Sequence, residues 1–472
     1  HGVAVVSYER WAAKLRERHF PHLPRAIEEN TPSVVVRLKK HPVLLRLIDE
    51  EAEAISARVQ AAVVEVSKET PGGARILRAF EESESLSPGA RLSLLKRWLH
   101  EPEQRSLPLD ARHPIERTVQ KWLRIVRDIP TVWAELLTDQ GRLEAAFTRF
   151  APGDLSKKEI EWAHSHCARA CEAVLSYRED QLGGVEKDET DPDPVDGEGD
   201  DDEDRAKLDL EDDGLLLRLY QRLVGPLRGK RGPLRYEHVF VDETQDLAPT
   251  ELAVILGTVS AGMSVTLAGD VAQKLVMDNG FTTWREVLGH LGLDHVEAEP
   301  LELSYRSTHE ILEFATEVLG PLRNEVRGKA IRGGAPVELF RFSSAGEAVG
   351  FLSEALRELV AAEPLATVAV IARHPEQADL YYTGLVHGEV PNLRRIARQD
   401  FPFRPGVDVT DVRQVKGLEF DYVVIVEASA SSYPLGDEAR HLMHIAATRA
   451  AHQLWVLTTG SPSAMIPEAL RA

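Results

Sequence analysis

Residues 345–373 read AGEAVGFLSEALRELVAAEPLATVAVIAR. The first nineteen space their apolar side chains at three and four, as an amphipathic helix does, and the last seven, TVAVIAR, form a short β-branched run. A helix that feeds straight into an apolar strand is half of an α/β repeat. The same texture recurs after Leu234, where HVFVD (238–242), SVTLAGD (264–270), VELFRF (337–342), VDVTDV (407–412), YVVIVEA (422–428) and QLWVLTT (453–459) alternate with helical stretches such as THEILEFATEVLG (308–320). Strands alternating with helices imply parallel, doubly wound sheets, with ligands bound by the loops at the carboxyl ends of the strands.

Upstream the pattern is helical. From about Glu9 to Leu182, stretches such as HPVLLRLIDEEAEAISARVQAAVVEVSKE (41–69), RLSLLKRWLHE (91–101) and KKEIEWAHSHCARACEAVLSYRED (157–180) repeat apolar residues at three and four. Ahead of them VAVVSY (3–8) reads as a strand. A chain that opens on His1 with a strand almost at once is expected to be a fragment of something longer. With 472 residues and 43% apolar content it has material for more than one core. Two cysteines fit a reducing compartment, and neither a membrane-spanning run nor a signal peptide is legible, so the expected location is cytoplasmic.

A net charge of −20 argues at first against a nucleic-acid partner. Its distribution weakens that argument. Between Val185 and Asp213 sixteen Asp and Glu face three Lys and Arg, which leaves only about −7 for the rest of the chain. This segment has too little apolar surface to offset ordering entropy and is expected to be a disordered loop, either a solvated spacer or an acidic arm that imitates phosphates toward a basic partner.

The strand HVFVD ends in Asp242, followed at once by Glu243 and then Asp246. Three carboxylates so close repel one another unless a cation sits among them. At the end of a strand such a pair holds Mg²⁺ and activates a water in nucleotide hydrolases, and the alternative is a helix N-cap with an acidic first turn. Further on come Gly269, Asp270 and Gln273 after a second strand, Tyr305 beside Arg306 in LELSYRSTHEI (301–311), Lys416, Gly417 and Glu419 before YVVIVEA, and Arg449 before the last strand. A neutral Gln suits contact with a phosphate or its water, a flat aromatic suits stacking on a base, and guanidinium groups fork onto phosphate oxygens.

The ordered series DETQD, GDVAQ, SYRS, KGLEFD and AATRA resembles motifs II to VI of superfamily 1 helicases of the UvrD/Rep type, over roughly Tyr236 to Gly460. The resemblance implies an α/β fold with two RecA-like domains of the P-loop NTPase type, the first incomplete, plus a largely helical insertion. Its implied borders are 1–20 for a remnant of the first RecA-like domain, 21–182 for the insertion, 183–213 for the acidic loop, 214–300 for the first domain continued and 301–472 for the second. It further implies an ATP-dependent DNA helicase or translocase with ATP and Mg²⁺ as cofactors and single-stranded DNA or another nucleic acid as partner. Asp242 would hold Mg²⁺ and Glu243 would activate the water. Gln273 would sense the γ-phosphate, Tyr305 would stack on adenine, Arg306 and Arg449 would act as arginine fingers, and Gly417 and Glu419 would approach phosphates and ribose. Arg413 and Lys416 are the candidates for nucleic-acid contact, with Arg413 standing where the family has His.

One element of the family is missing. GxxxxGK[ST], whose amides and Lys cradle the phosphates, is not found, and GPLRGKRG (225–232) has the wrong spacing and no Ser or Thr. The segment is expected to lie upstream, so that this chain alone hydrolyses ATP poorly. The GDVAQ form, TTWREVLGHLG (282–292) and the acidic insert resemble the HelD branch, whose members displace RNA polymerase. A non-catalytic interaction module on a degenerate motor fold is the third reading. Cys167 and Cys171 with His164 share one helix face, which suits zinc or a packed core. Trp11, Trp98, Trp122 and Trp133 suit a core more than a stacking surface.

Overall fold

The computed structural model describes residues 2–27, 31–101, 109–183, 206–274, 279–323, 329–397 and 400–471. They divide into two compact units, one of His1–Asp242, Leu247–Ala268 and Asp278–His295, the other of Glu243–Asp246, Gly269–Met277 and Val296–Ala472. Residues 243–246 and 269–277 belong with the second unit, and the helices from Tyr8 onward share one core with no break near residue 20.

The first unit is dominated by helices, the longest being Pro42–Lys68 and Lys157–Gly183. Pro42 takes the first helical position, where its missing N–H costs nothing, and the His41 ring accepts from the Val43 amide at 3.2 Å. Their apolar stripes close one core that includes Val35, Leu44, Val59, Trp133 and Leu219. Trp11, Trp98 and Trp122 are half-buried against it. Cys167 and Cys171 lie within it, burial pushes the Cys167 thiol up to about 11, and the His164 ring meets the Thr138 carbonyl at 2.9 Å. Among the described residues no three His, Cys, Asp or Glu converge as metal ligands, and no helix is long and apolar enough to cross a membrane.

Residues 184–205 of the acidic segment lie outside the described residues. Its last part departs from the expectation of disorder. Leu208 bridges to Ala26, and the helix Asp212–Leu223 begins inside the acidic run. Lys39, almost fully buried, reaches Asp209 at 2.6 Å and Asp212 at 2.7 Å, and Arg16 reaches Asp213 at 2.9 Å. Trp133 donates its indole N–H to Asp212 at 3.1 Å. Burial works against the Lys39 charge, but the carboxylates of Asp212 and Asp209 outweigh it and hold the ammonium well above its ordinary pKa. Composition alone marks these aspartates as solvated; a buried cation on another helix makes them structural.

Strands β1 (Val239–Val241) and β2 (Val265–Leu267) pair in parallel, Val239 opposite Val265. Residues 3–7 form no strand and Val3 is 97% exposed, so the expected VAVVSY strand is corrected: among the described residues nothing offers it a ladder. GPLRGKRG closes a two-residue antiparallel hairpin, Arg228 opposite Pro233, rather than a phosphate-binding turn.

The second unit carries the sheet forecast by residues 345–373. Strands β3 (Glu338–Arg341), β4 (Thr367–Ala372), β5 (Leu393–Arg395), β6 (Gly406–Asp411), β7 (Phe420–Ile425) and β8 (Ala450–Thr458) are all parallel, in the order β3-β8-β7-β4-β6-β5. Alternate residues serve opposite cores. Val368, Val370, Val424 and Val426 pack under the helices Ala345–Ala362 and Pro375–His387, whereas Ala369, Ile371, Val423 and Ile425 pack under His309–Leu319 and Asp437–Ala447. Burying each of these Val, Leu or Ile side chains contributes about 1.5–3 kcal/mol. The edge strand β5 has no apolar run, and its Arg394 pairs with Asp408 of β6 at 2.6 Å.

Candidate functional site

Beyond β1 the backbone turns sharply. Glu243 adopts φ +49, a left-handed conformation unusual for a side-chain-bearing residue, and leads into the short 3₁₀ turn Thr244–Asp246. The Gln245 amide donates to Glu243 at 2.6 Å and its carbonyl oxygen accepts from the Asp270 amide at 3.0 Å, which ties the two acidic loops together. Asp270 then caps the turn Val271–Gln273 by accepting from Ala272 at 2.9 Å. These contacts fix Glu243, Asp246 and Gln273 against the second unit. Asp242 belongs to the first unit and is exposed.

A positive charge does sit at the carboxylates. The Lys416 ammonium lies 2.5 Å from Asp246 and 3.4 Å from Glu243, with only 8% of its side chain exposed. Lys416, expected on the sequence as a nucleic-acid contact, pairs here with Asp246 and Glu243. Gly417 follows at φ +73, and a Cβ there would stand 3.9 Å from a Glu243 oxygen. The position has room for a methyl group; its backbone conformation is what favours glycine.

The loop 412–419 leaves β6 and delivers its residues to the amino end of β7, next to the point where Arg449 enters β8. Phe420 donates its amide to the Arg449 carbonyl at 2.9 Å. Arg449 is 1% exposed, and its guanidinium donates to the carbonyls of Ile445 and Leu418, both at 3.1 Å, to the Thr448 hydroxyl at 3.2 Å and to the side-chain oxygen of Gln273. Burial first, then the nearby Arg306, lowers its pKa to about 10, opposed by Glu243, Asp270 and Glu419. It stays charged at neutral pH. Arg306 is half-exposed and pairs with Glu419 at 2.6 Å, while the next residue, Ser307, anchors this segment by donating to the Ala450 carbonyl at 2.8 Å. Tyr305 is exposed.

The second unit therefore gathers Glu243 with Lys416 and Gly417, Gln273 with Arg449, and Arg306 with Glu419 at the amino ends of β7 and β8. Arg413 lies apart, donating to Glu438 at 2.9 Å. In this sheet the gathered residues stand at the amino ends of β7 and β8, opposite the carboxyl ends that the strand pattern singles out. Sequence reasoning passed over Gln245, Ser307 and the histidines of the Asp437–Ala447 helix. His441 meets the Ala272 carbonyl at 2.7 Å, and His444, buried, meets the Ala315 carbonyl at 2.9 Å. Their spacing of three in HLMHIAATR was the available signal. Burial lowers the pKa of His444.

Residues 406–457 match the model of the UvrD-like helicase C-terminal domain. No curated protein matches the chain. Among solved structures, the C-terminal domain of a possible DNA helicase from Lactobacillus strain WCFS1 is similar at 25% identity, covering 35% of this chain and 96% of that one, with a TM-score of 0.30. The arterivirus nonstructural protein 10 helicase is 16% identical over 50% of this chain and 40% of its own, and the PRRSV helicase 14% identical over 47% and 34%, each with a TM-score of 0.25.

Proposed function

We propose that the protein is a UvrD-like ATP-dependent motor that moves on single-stranded nucleic acid, with the β3–β8 sheet as its second RecA-like domain and β1–β2 as part of an incomplete first. The observation that carries this reading is the 406–457 match, since that segment holds Lys416, Gly417, Glu419 and Arg449. The phosphate loop would come from a preceding segment, and the chain by itself would turn over little ATP.

Mg²⁺ suits these side chains. Glu243 and Asp246 already hold a cation, the Lys416 ammonium, and Mg²⁺ is ordinarily held by one or two carboxylates together with phosphates and water. When bound it would neutralise charge on the transferring phosphoryl group. Asp242 would join the ligands and Glu243 would take the proton of the attacking water. Tyr305 would offer its exposed face to adenine, Glu419 would accept from ribose, and Gln273 would report the state of the phosphate to Arg449. Arg306 and Arg449 would face developing phosphate charge, an effect worth on the order of 10³-fold or more where arginine fingers act.

The test is ATP turnover by the complete cytoplasmic protein. Stimulation by single-stranded DNA is expected, and Glu243→Gln should abolish turnover while ATP still binds. The acidic insert and the GDVAQ form favour RNA polymerase as a second partner, and stimulation by polymerase but not by DNA would select that reading. Turnover unaffected by either partner would leave a non-catalytic interaction module.

A further inference from the structure

The carboxyl ends of β7 and β8 carry a second concavity, remote along both strands from Arg449 and Gly417. It measures about 360 Å³ and is lined by Glu427, Ser429, Ser431, Thr459 and Ser461 among others. Glu427 is its single ionisable lining group. The Tyr381 hydroxyl donates to one carboxylate oxygen at 2.8 Å and the Thr459 hydroxyl to the other at 2.6 Å. Tyr381 is itself fully buried, on the inner face of the Pro375–His387 helix, so the carboxylate is aimed by the core.

Its charge is left uncompensated. Several other carboxylates around this sheet have cations: Glu438 lies near Arg373 and Arg413, Asp379 pairs with Arg395 and Asp408 with Arg394. Among the described residues no Lys, Arg or His comes within ion-pair distance of Glu427, and its two hydroxyl partners are neutral. Glu427 also holds φ +52, a left-handed backbone that costs energy in a residue with a side chain. An aimed, half-buried and unpaired carboxylate is poorly explained as packing.

The geometry points to a site for a guanidinium group, with Glu427 as its charge partner and the surrounding hydroxyls as further acceptors. A phosphate or carboxylate ligand would be repelled, and a divalent ion would lack further ligands, since no set of metal-binding side chains is present among the described residues. Each oxygen of Glu427 accepts one hydroxyl and keeps a second lone pair free. A planar group with five N–H donors uses acceptors spread around a rim better than a compact ammonium does. The guanidinium has two possible sources, an arginine side chain of a polypeptide or a free small molecule, and this inference is independent of the helicase reading.

Calorimetric titration of the full chain with agmatine, and with the end-blocked peptide Gly-Gly-Arg-Gly-Gly and its citrulline counterpart, tests it. Saturable binding of at least one guanidinium probe is expected, weakened about tenfold or more by Glu427→Gln, a loss of about 1.4 kcal/mol. The citrulline peptide should not bind. Ser431→Trp, at an exposed rim position, should block binding without touching the carboxylate, which keeps the test valid if the Glu427 variant folds poorly. Binding of the arginine peptide alone would assign a polypeptide partner, and of agmatine alone a free small molecule. Absence of saturable binding to either probe, or equal binding by the wild type and both variants, overturns the assignment.

Discussion

Lys416→Met removes a cation seated on the acidic pair while keeping most of the length of the stem. Lys416 is 8% exposed, whereas Glu243 and Asp246 are 33% and 27% exposed at their side chains. Breaking a fully buried ion pair costs about 3–5 kcal/mol and an exposed one under about 1 kcal/mol, so carboxylates a quarter to a third open to water place the loss near 2 kcal/mol. Urea unfolding read by hydrogen exchange in β7 and β8 peptides isolates this unit and should report that loss. The variant should then respond to divalent cation where the wild type does not, because Lys416 no longer competes. With a dissociation constant of about 1 mM, Mg²⁺ at roughly 10 mM would restore about 1.4 kcal/mol. A loss below about 0.5 kcal/mol, or an equal response to Mg²⁺ in both proteins, would refute the view that Lys416 acts as a built-in counter-cation.

Three further outcomes are expected. Lys39→Met strands Asp209 and Asp212 inside the first unit and should cost about 3–5 kcal/mol, measured as a fall in that unit's urea midpoint. His444 has a folded pKa below its ordinary 6.5, chiefly through burial, so the unfolded chain takes up its proton first as pH falls. The stability it contributes is complete above about 6.5 and is lost below it by up to about 1.4 kcal/mol per pH unit; His444→Asn should flatten that slope in the second unit between pH 7 and 5. Gly417→Ala meets no steric barrier at 3.9 Å from Glu243, yet its φ of +73 should cost about 1–2 kcal/mol in unfolding experiments on the same peptides.

Where the sequence could be read, the reason was periodicity. TVAVIAR, YVVIVEA and QLWVLTT carry apolar residues on both faces because the sheet has a core on either side, VDVTDV does so on one face only, and all four are strands. The strand β5 was illegible because an edge needs charge more than apolar pattern. VAVVSY misled for the opposite reason: β-branched composition states a preference, and a strand exists only with a partner. The end of the acidic run misled because charge density says nothing about a lysine more than 160 residues away on another helix. At the candidate site the anions and cations were visible as residue types, but their partners were not. That Lys416 closes on Asp246, and that Arg449 is enclosed by the carbonyls of Ile445 and Leu418, are facts of chain crossing that no local window contains.

The two strands β7 and β8 join Gly417, Glu419 and Arg449 at one end to Glu427 and Thr459 at the other. Six residues of β7 span about 20 Å, and such a strand, hydrogen-bonded on both edges and packed on both faces, neither stretches nor bends on its own. A shift of the backbone at Arg449 would be passed along β8 toward the serine-lined hollow. The sheet is thus a connecting rod, and anything gripped at its far end would be carried along.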